Sequence, residues 1–316
     1  MNAIGGYFEL ELKKGSHFHE SALRLNTAHN CFEYILLSRK YNKVYIPYYT
    51  CKEMLIPLEK TGVEYEFYNI NEHLELSHPI SLSEEEGFLY TNYFGLKNDY
   101  CHKLHEIYGT QLIIDNVQSF FSEPIPGVDT FYSARKFFGV PDGAYLYTSK
   151  ILDIKLSVDY SSERFDHLLG RIEGGAESFY SQFKDNDAKL SQEPIKKMSL
   201  LTTQLLGSID YCDIVRKRRE NFSYLHTILQ KTNKINIQDK ECVAMIYPYF
   251  VSNGDILKKK LIDNKVFVAT YWPNVLEWVA EGSLEAEFTN KLVAIPIDQR
   301  YGVKDMNRII KLIEND

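Results

Sequence analysis

Three polar groups in the N-terminal half stand among apolar or aromatic neighbours, where their chemistry would be of use. Lys136 lies in FYSARKFFGVPDGAYLYTSK, residues 131 to 150, after an aromatic run and ahead of Pro141, Asp142 and Gly143. That setting places it at a strand end or tight connection, where an amine is either a snorkelling surface chain or a nucleophile and base. Ser133 supplies a hydroxyl three residues earlier. Asp115 closes the apolar pair Ile113-Ile114 in IIDNVQSF, with Gln118 three residues on. A carboxylate ending a buried strand must be solvated, capped or paired with a cation. In LNTAHN, residues 25 to 30, Thr27 and the amides of Ala28 and His29 lead into a helix whose N-terminus can hold a phosphate. Each feature alone also has a plain structural role: a threonine N-cap, a turn-capping aspartate, a chance Ser-x-x-Lys.

Taken in chain order they are more specific. A phosphate cradle, an aspartate at a buried strand end and a Ser-x-x-Lys past the next strand is the order expected of a pyridoxal phosphate site. There lysine bonds the cofactor aldehyde, aspartate keeps the pyridine nitrogen protonated, and hydroxyls and amides hold the phosphate.

The elements that must position these groups alternate between helix and strand. NCFEYILLSRKY has helical spacing, KVYIP reads as a strand, CKEMLIPLEKTG as a helix stopping at Gly62, and VEYEFYNI as a strand. GFLYTNYFG, the helix-like NDYCHKLHEIYG, the strand QLIIDN, then DTFYS and GAYLYTS continue the pattern. This predicts an α/β fold, a mainly parallel sheet covered by helices, in a large domain over residues 1–195. The stretch 161 to 194 is polar with Gly174-Gly175, predicting helices joined by mobile connections. One long amphipathic helix is expected over 198 to 229, bridging into a smaller α+β C-terminal domain, residues 196–316. That domain would hold strands in CVAMIYPYFV, KVFVAT and KLVAIPI and the closing helix KDMNRIIKLIE.

Composition bounds the setting. A chain of 316 residues that is 44% hydrophobic can bury a full core. Its net charge of −7 gives no basic footprint for nucleic acid. The five cysteines are odd in number and form no CxxC pair, which argues against a disulfide framework or zinc knuckle and for a reducing cytoplasm. MNAIGGYFELELKKG has no apolar signal core, and no apolar run approaches the roughly 18 residues of a spanning helix, so neither export nor membrane insertion is expected. His17 with His19, and His102 with His105 one helical turn apart, are pairs that are more often structural than metal-ligating, and no metal is expected. The runs SEEEG at 83 to 87 and KKK at 258 to 260 read as solvated faces. Trp272, Trp278 and Arg300, in YWPNVLEW and IDQRYG, are candidates for a pocket lining or, more simply, aromatic core packing.

The chain resembles the nucleotide-sugar aminotransferases of the DegT/DnrJ/StrS type, which have the fold-type-I pyridoxal phosphate architecture. The resemblance rests on IGGYFELEL, NTAHN, IPYYTC, YTNYFG, IIDNVQSF, SARKFFGVPDGAYLY, KMSLLT and IPIDQRYGVKDM in that order, and is most specific from Asp115 to Gly143. It implies that Lys136 is the Schiff-base lysine, Asp115 the pyridinium partner and Gln118 a ligand near the ring hydroxyl. Thr27, Ala28 and Ser133 would be the phosphate ligands, beside the His29 amide already noted at the helix N-terminus. Cys51 stands where the family lays an aromatic ring over the cofactor, and is expected to cover one ring face as packing rather than as a nucleophile, the alternative being a buried cysteine that serves only the sheet-helix core. Ile195, Lys196 and Lys197 stand where the family lends an asparagine across a dimer interface.

The function implied is amination of a keto sugar nucleotide, with glutamate as donor, in amino-sugar and surface polysaccharide biosynthesis by a homodimer. Two rivals remain at this level. One is a different fold-type-I transaminase; the other is a pyridoxal phosphate-binding or regulatory protein with reduced turnover. A half-reaction with amino donors separates them.

Overall fold

The computed structural model describes residues 4–238 and 242–314. The N-terminal part runs β1 (Leu23–Leu25), α1 (Ala28–Arg39), β2 (Lys43–Pro47), α2 (Leu55–Thr61), β3 (Glu64–Tyr68), β4 (Glu86–Thr91), α3 (Asn98–Tyr108), β5 (Leu112–Asp115), β6 (Asp129–Ser133) and β7 (Ala144–Tyr147). The start and stop signals act as expected. Thr27 caps α1 by accepting from the Asn30 amide at 3.2 Å, and α2 ends where Gly62 turns left-handed at φ 69°.

These strands form one seven-stranded sheet in the order β1-β7-β6-β5-β4-β2-β3. β2 pairs parallel with β3 and β4, and β4-β5 and β5-β6 are parallel, whereas β7 runs antiparallel to β6 and β1. Side chains alternate between two cores. Ile113 and Phe131 pack with Cys31, Ile35 and Leu58 under α1 and α2, while Ile114 and Tyr132 face the opposite cluster. The parallel register aligns the carboxyl ends of β2, β4, β5 and β6 on one rim, with Thr91 opposite Asp115 and Asp115 opposite Phe131. The chain leaves β2 for β3 on one side and returns as β4 on the other. The connections diverge there, which is where open α/β sheets bind ligands.

The remainder comprises α4 (Asp166–Ser178), α5 (Tyr180–Gln192), α6 (Leu200–Gly207), α7 (Tyr211–Leu229), β8 (Ile246–Phe250), α8 (Gly254–Asp263), α9 (Val275–Trp278), α10 (Leu284–Lys291), β9 (Leu292–Pro296) and α11 (Val303–Glu314). β8 and β9 form an antiparallel pair flanked by helices, the smaller α+β layer. Its apolar residues, among them Val293, Met306 and Ile310, join the same cluster as Tyr90 and Ile114 of the large sheet.

Three expectations are corrected. The helix expected over 198 to 229 is two: Gly207 is pressed against Gly15, and Asp210 restarts the chain by capping the Asp213 amide at 3.1 Å. KVFVAT is not a strand. It contributes only the bridge between Ala269 and Ala294, and Lys265 at its start has a left-handed φ of 61°. Within KKK, Lys258 is buried rather than solvated, its Nζ donating to the Thr289 carbonyl at 2.7 Å. No helix among the described residues is long and apolar enough to cross a membrane.

Candidate active site

β6 carries Ser133 to the sheet rim, and a single 3-10 turn, Ala134–Lys136, follows at once. Phe137 and Phe138 both donate their amides to the Ala134 carbonyl, at 3.0 and 2.9 Å, closing the turn. Gly143 locks it from the other side. Its carbonyl accepts from the Ala134 amide at 3.0 Å and its amide donates to the Asn26 carbonyl at 2.6 Å, tying the turn to the entrance of α1. At φ 112°, and with Thr202 Cγ2 only 2.9 Å from where a Cβ would stand, this position takes no other residue without strain. Asp142 anchors the preceding corner, accepting from the Ser199 amide and hydroxyl at 2.9 and 2.8 Å and from the Thr202 hydroxyl. The Lys136 side chain itself is exposed and makes no hydrogen bond or ion pair among the described residues.

Asp115 ends β5 and is 3% exposed. Its Oδ1 accepts from the Val117 amide at 2.9 Å, and its Oδ2 faces the Thr91 hydroxyl at 3.4 Å. Burial pushes the carboxyl up to about 7, against those two hydrogen bonds and the Lys136 ammonium, which favour the charged form. Lys136 is therefore close enough to bias Asp115 without contacting it.

Cys51 follows the loop after β2 and belongs to the same electrostatic group. Burial, then Glu53, pushes its thiol up to about 12, Lys136 pulls it down, and Asp115 raises it. A thiol kept neutral is a packing group, not a nucleophile. Half-buried, it packs against the α1-side core, the place that a cysteine serving only sheet-helix packing would also take.

The phosphate candidates converge at the start of α1. Thr27 is its cap, the first-turn amides at Ala28 and His29 have no helical acceptor, and the Ser133 hydroxyl has no hydrogen bond among the described residues. The His29 imidazole is not a cation here: burial, then Lys60 and Arg135, pushes it down to about 4. Beside it, His29 Nε2 and Arg135 Nε are buried without hydrogen-bond partners.

Gln118 is drawn into the loop rather than aimed freely at the site. Its Oε1 accepts from the Phe94 amide at 2.9 Å, bracing a residue at φ 59°, so only the amide nitrogen is left to donate to a ligand. Lys196 is engaged inside the chain, with Nζ 2.5 Å from Glu193 and 3.5 Å from Asp159. Trp272, half-buried, packs edge-on against Tyr49 at the core, and half-buried Trp278 packs against Phe67. Arg300 instead lines a separate cavity of about 610 Å³, with Arg171, Tyr180, Lys265, Phe267 and Arg308. None of the residues grouped around Lys136 lines it. His17 and His19 are used internally, by Tyr145 and by Tyr147 with the Phe120 carbonyl.

Thr91, Arg218 and Gln299 escape the sequence reading. Thr91 is legible only through the β4-β5 register. Arg218 shares helical spacing with buried Phe222, Leu225 and Leu229, a position that apolar periodicity passes over.

No protein-family model matches the sequence, and a search of curated proteins finds no match. Solved structures do match. Sugar aminotransferase CalS13 from Micromonospora echinospora superposes with a TM-score of 0.64 over 93% of this chain and 86% of that one, at 12% identity. A DegT DnrJ EryC1 StrS aminotransferase from Brucella abortus gives 0.61 over 92% and 84%, at 15%. NtdA from Bacillus subtilis, with bound cofactor PMP, gives 0.63 over 92% and 72%, at 12%. The chain has the sugar aminotransferase fold. Within that fold, the rim carrying Thr27, Cys51, Asp115, Ser133 and Lys136 lies at the carboxyl ends of the parallel strands.

Proposed function

We propose that the protein is a pyridoxal phosphate-dependent aminotransferase acting on a keto sugar nucleotide, with glutamate as amino donor. The observation that carries this reading is the pairing of a buried, raised Asp115 with the unpartnered amine of Lys136 across one sheet rim. The residues present fit the cofactor. The open amides of α1 and the free Ser133 hydroxyl suit its phosphate, and Asp115 suits its ring nitrogen. When bound, the cofactor supplies an electron sink through which an amino group passes from donor to acceptor.

The chain's own groups do the rest. Asp115, whose carboxyl burial pushes up to about 7, would hold a proton on the cofactor's ring nitrogen by pairing with it as a carboxylate. Lys136 Nζ would be the amine that holds the cofactor and, when free of it, the base that moves a proton at the donor Cα. Cys51 would fill space over the cofactor, and Gln118 Nε2 would be the donor for its ring hydroxyl.

The test is a half-reaction. With pyridoxal phosphate added, glutamate should yield 2-oxoglutarate in one equivalent per chain, and a keto sugar nucleotide should restore the starting spectrum. No 2-oxo acid from any of a panel of amino donors would leave a cofactor-binding protein without turnover.

A homodimer belongs to the same reading. Ile4, Tyr7, Phe8 and Leu10 stand exposed on the N-terminal segment, and Ile172 and Leu200 are exposed as well, apolar surface that a second copy of the chain would cover. Light scattering at micromolar concentration should report twice the 36.8 kDa chain mass. A monomer with full cofactor occupancy and turnover would contradict it.

A further inference from the structure

We propose that Gln299, oriented by Arg218, is a positioning residue for Lys136, acting through the peptide carbonyl of Phe137. The inference rests on the reading of Lys136 as the reacting amine.

Because the Lys136 side chain has no partner among the described residues, its location depends on the turn that carries it and on what holds the turn's exit. The exit is held from the far end of the sequence. Gln299 Nε2 donates to the Phe137 carbonyl at 2.7 Å. An amide side chain could present either end, but Arg218 Nε donates to Gln299 Oε1 at 3.0 Å, and that contact fixes Nε2 toward Phe137.

Arg218 is itself immobile. It is 1% exposed, donates to the Ala244 and Met245 carbonyls at 3.2 and 3.1 Å, and lies 4.6 Å over the Phe137 ring, with no carboxylate in ion-pair contact among the described residues. Burial lowers its guanidinium to about 10. Burying a cation is costly, and here the charge is met by those two carbonyls, by Gln299 and, at longer range, by Asp298 in the loop that carries Gln299. Asn221, one turn along α7, completes the post by donating to the Ile297, Asp298 and Tyr301 carbonyls at 3.1, 3.4 and 3.0 Å, which fixes the loop that presents Gln299. The C-terminal layer thus grips the residue next to the amine through one oriented amide.

A tie that merely docks this layer differs from a positioning contact in one respect. Gln299→Glu keeps, and by charge strengthens, the contact with Arg218, while replacing the donor at Phe137 O with an acceptor. Gln299→Met removes both contacts at similar volume. In cofactor-free protein, Lys136 would be labelled with trinitrobenzenesulfonate from about pH 6 to about pH 10, with exposed Lys150 as internal standard. Both variants should change the Lys136 to Lys150 labelling ratio by about threefold or more, and Gln299→Glu should melt no lower than the parent. With cofactor and substrates, kcat should fall about tenfold at unchanged KM.

A Gln299→Glu protein with the parent's labelling profile would overturn the proposal. So would failure of both variants to fold, which would assign the contact to stability. Whether the parent takes pyridoxal phosphate on Lys136 is read separately, so failure of the functional reading is distinguishable from failure of this one.

Discussion

Replacing Asp115 by asparagine should stabilise the cofactor-free protein at pH 8 by roughly 2 to 4 kcal/mol and leave its stability at pH 4 unchanged. The carboxyl is pushed up to about 7 by burial, whereas in the unfolded chain it titrates near its ordinary value of about 3.9. The folded protein therefore holds an extra proton between those two values, and stability falls as pH rises through that window. Below it both states are protonated and there is no penalty. Above about 7 the full penalty is present, at most roughly 4 kcal/mol, and asparagine removes it. Asparagine also keeps the local geometry: its Oδ1 still accepts from Val117, and its Nδ2 can donate to the Thr91 hydroxyl.

The same substitution should lower turnover by about 10²- to 10³-fold, because the neutral amide cannot stabilise a protonated ring nitrogen. Stability that rises while activity collapses is the signature of a strained functional group rather than a capping residue. Denaturant unfolding at the two pH values and steady-state rates read both effects. An Asp115→Asn protein less stable than the parent at pH 8 would make the carboxylate a structural acceptor.

Lys136→Ala should have the opposite profile. The side chain is exposed and makes no hydrogen bond or ion pair among the described residues, so its loss should change stability by no more than about 0.5 kcal/mol. Turnover should fall by at least about 10⁴-fold, since the one residue proposed to act as both cofactor anchor and base is gone. Retention of more than a hundredth of the parent rate, a level that loss of a single general base can leave, would move the anchor to another amine.

What the sequence makes legible follows from how local the cause is. Thr27 as a cap, Gly62 as a stop, β6 over Asp129–Ser133 and Asp115 at a strand terminus all depend on neighbours a few residues away. The turn holding Lys136 is legible for the same reason, through Gly143 and its flanking strands. Contacts between distant segments are not. The break between α6 and α7 needs Gly15 against Gly207, the burial of Lys258 needs the Thr289 carbonyl, and Gln118 is diverted by a Phe94 amide that no spacing rule links to it. KVFVAT has the alternation of a strand but only one bridge to pair with, because pairing belongs to the sheet rather than to the segment. Arg218 and Gln299 meet Phe137 only after the whole chain has folded.

The central claim is that Lys136 is the amine that carries pyridoxal phosphate beside Asp115. Its most direct test is to incubate the protein with the cofactor, reduce with borohydride, digest, and locate the adduct by mass spectrometry. The account predicts one phosphopyridoxyl group per chain on the peptide containing Lys136, absent from Lys136→Ala. An adduct confined to a different lysine, or no adduct after incubation with excess cofactor, would contradict it.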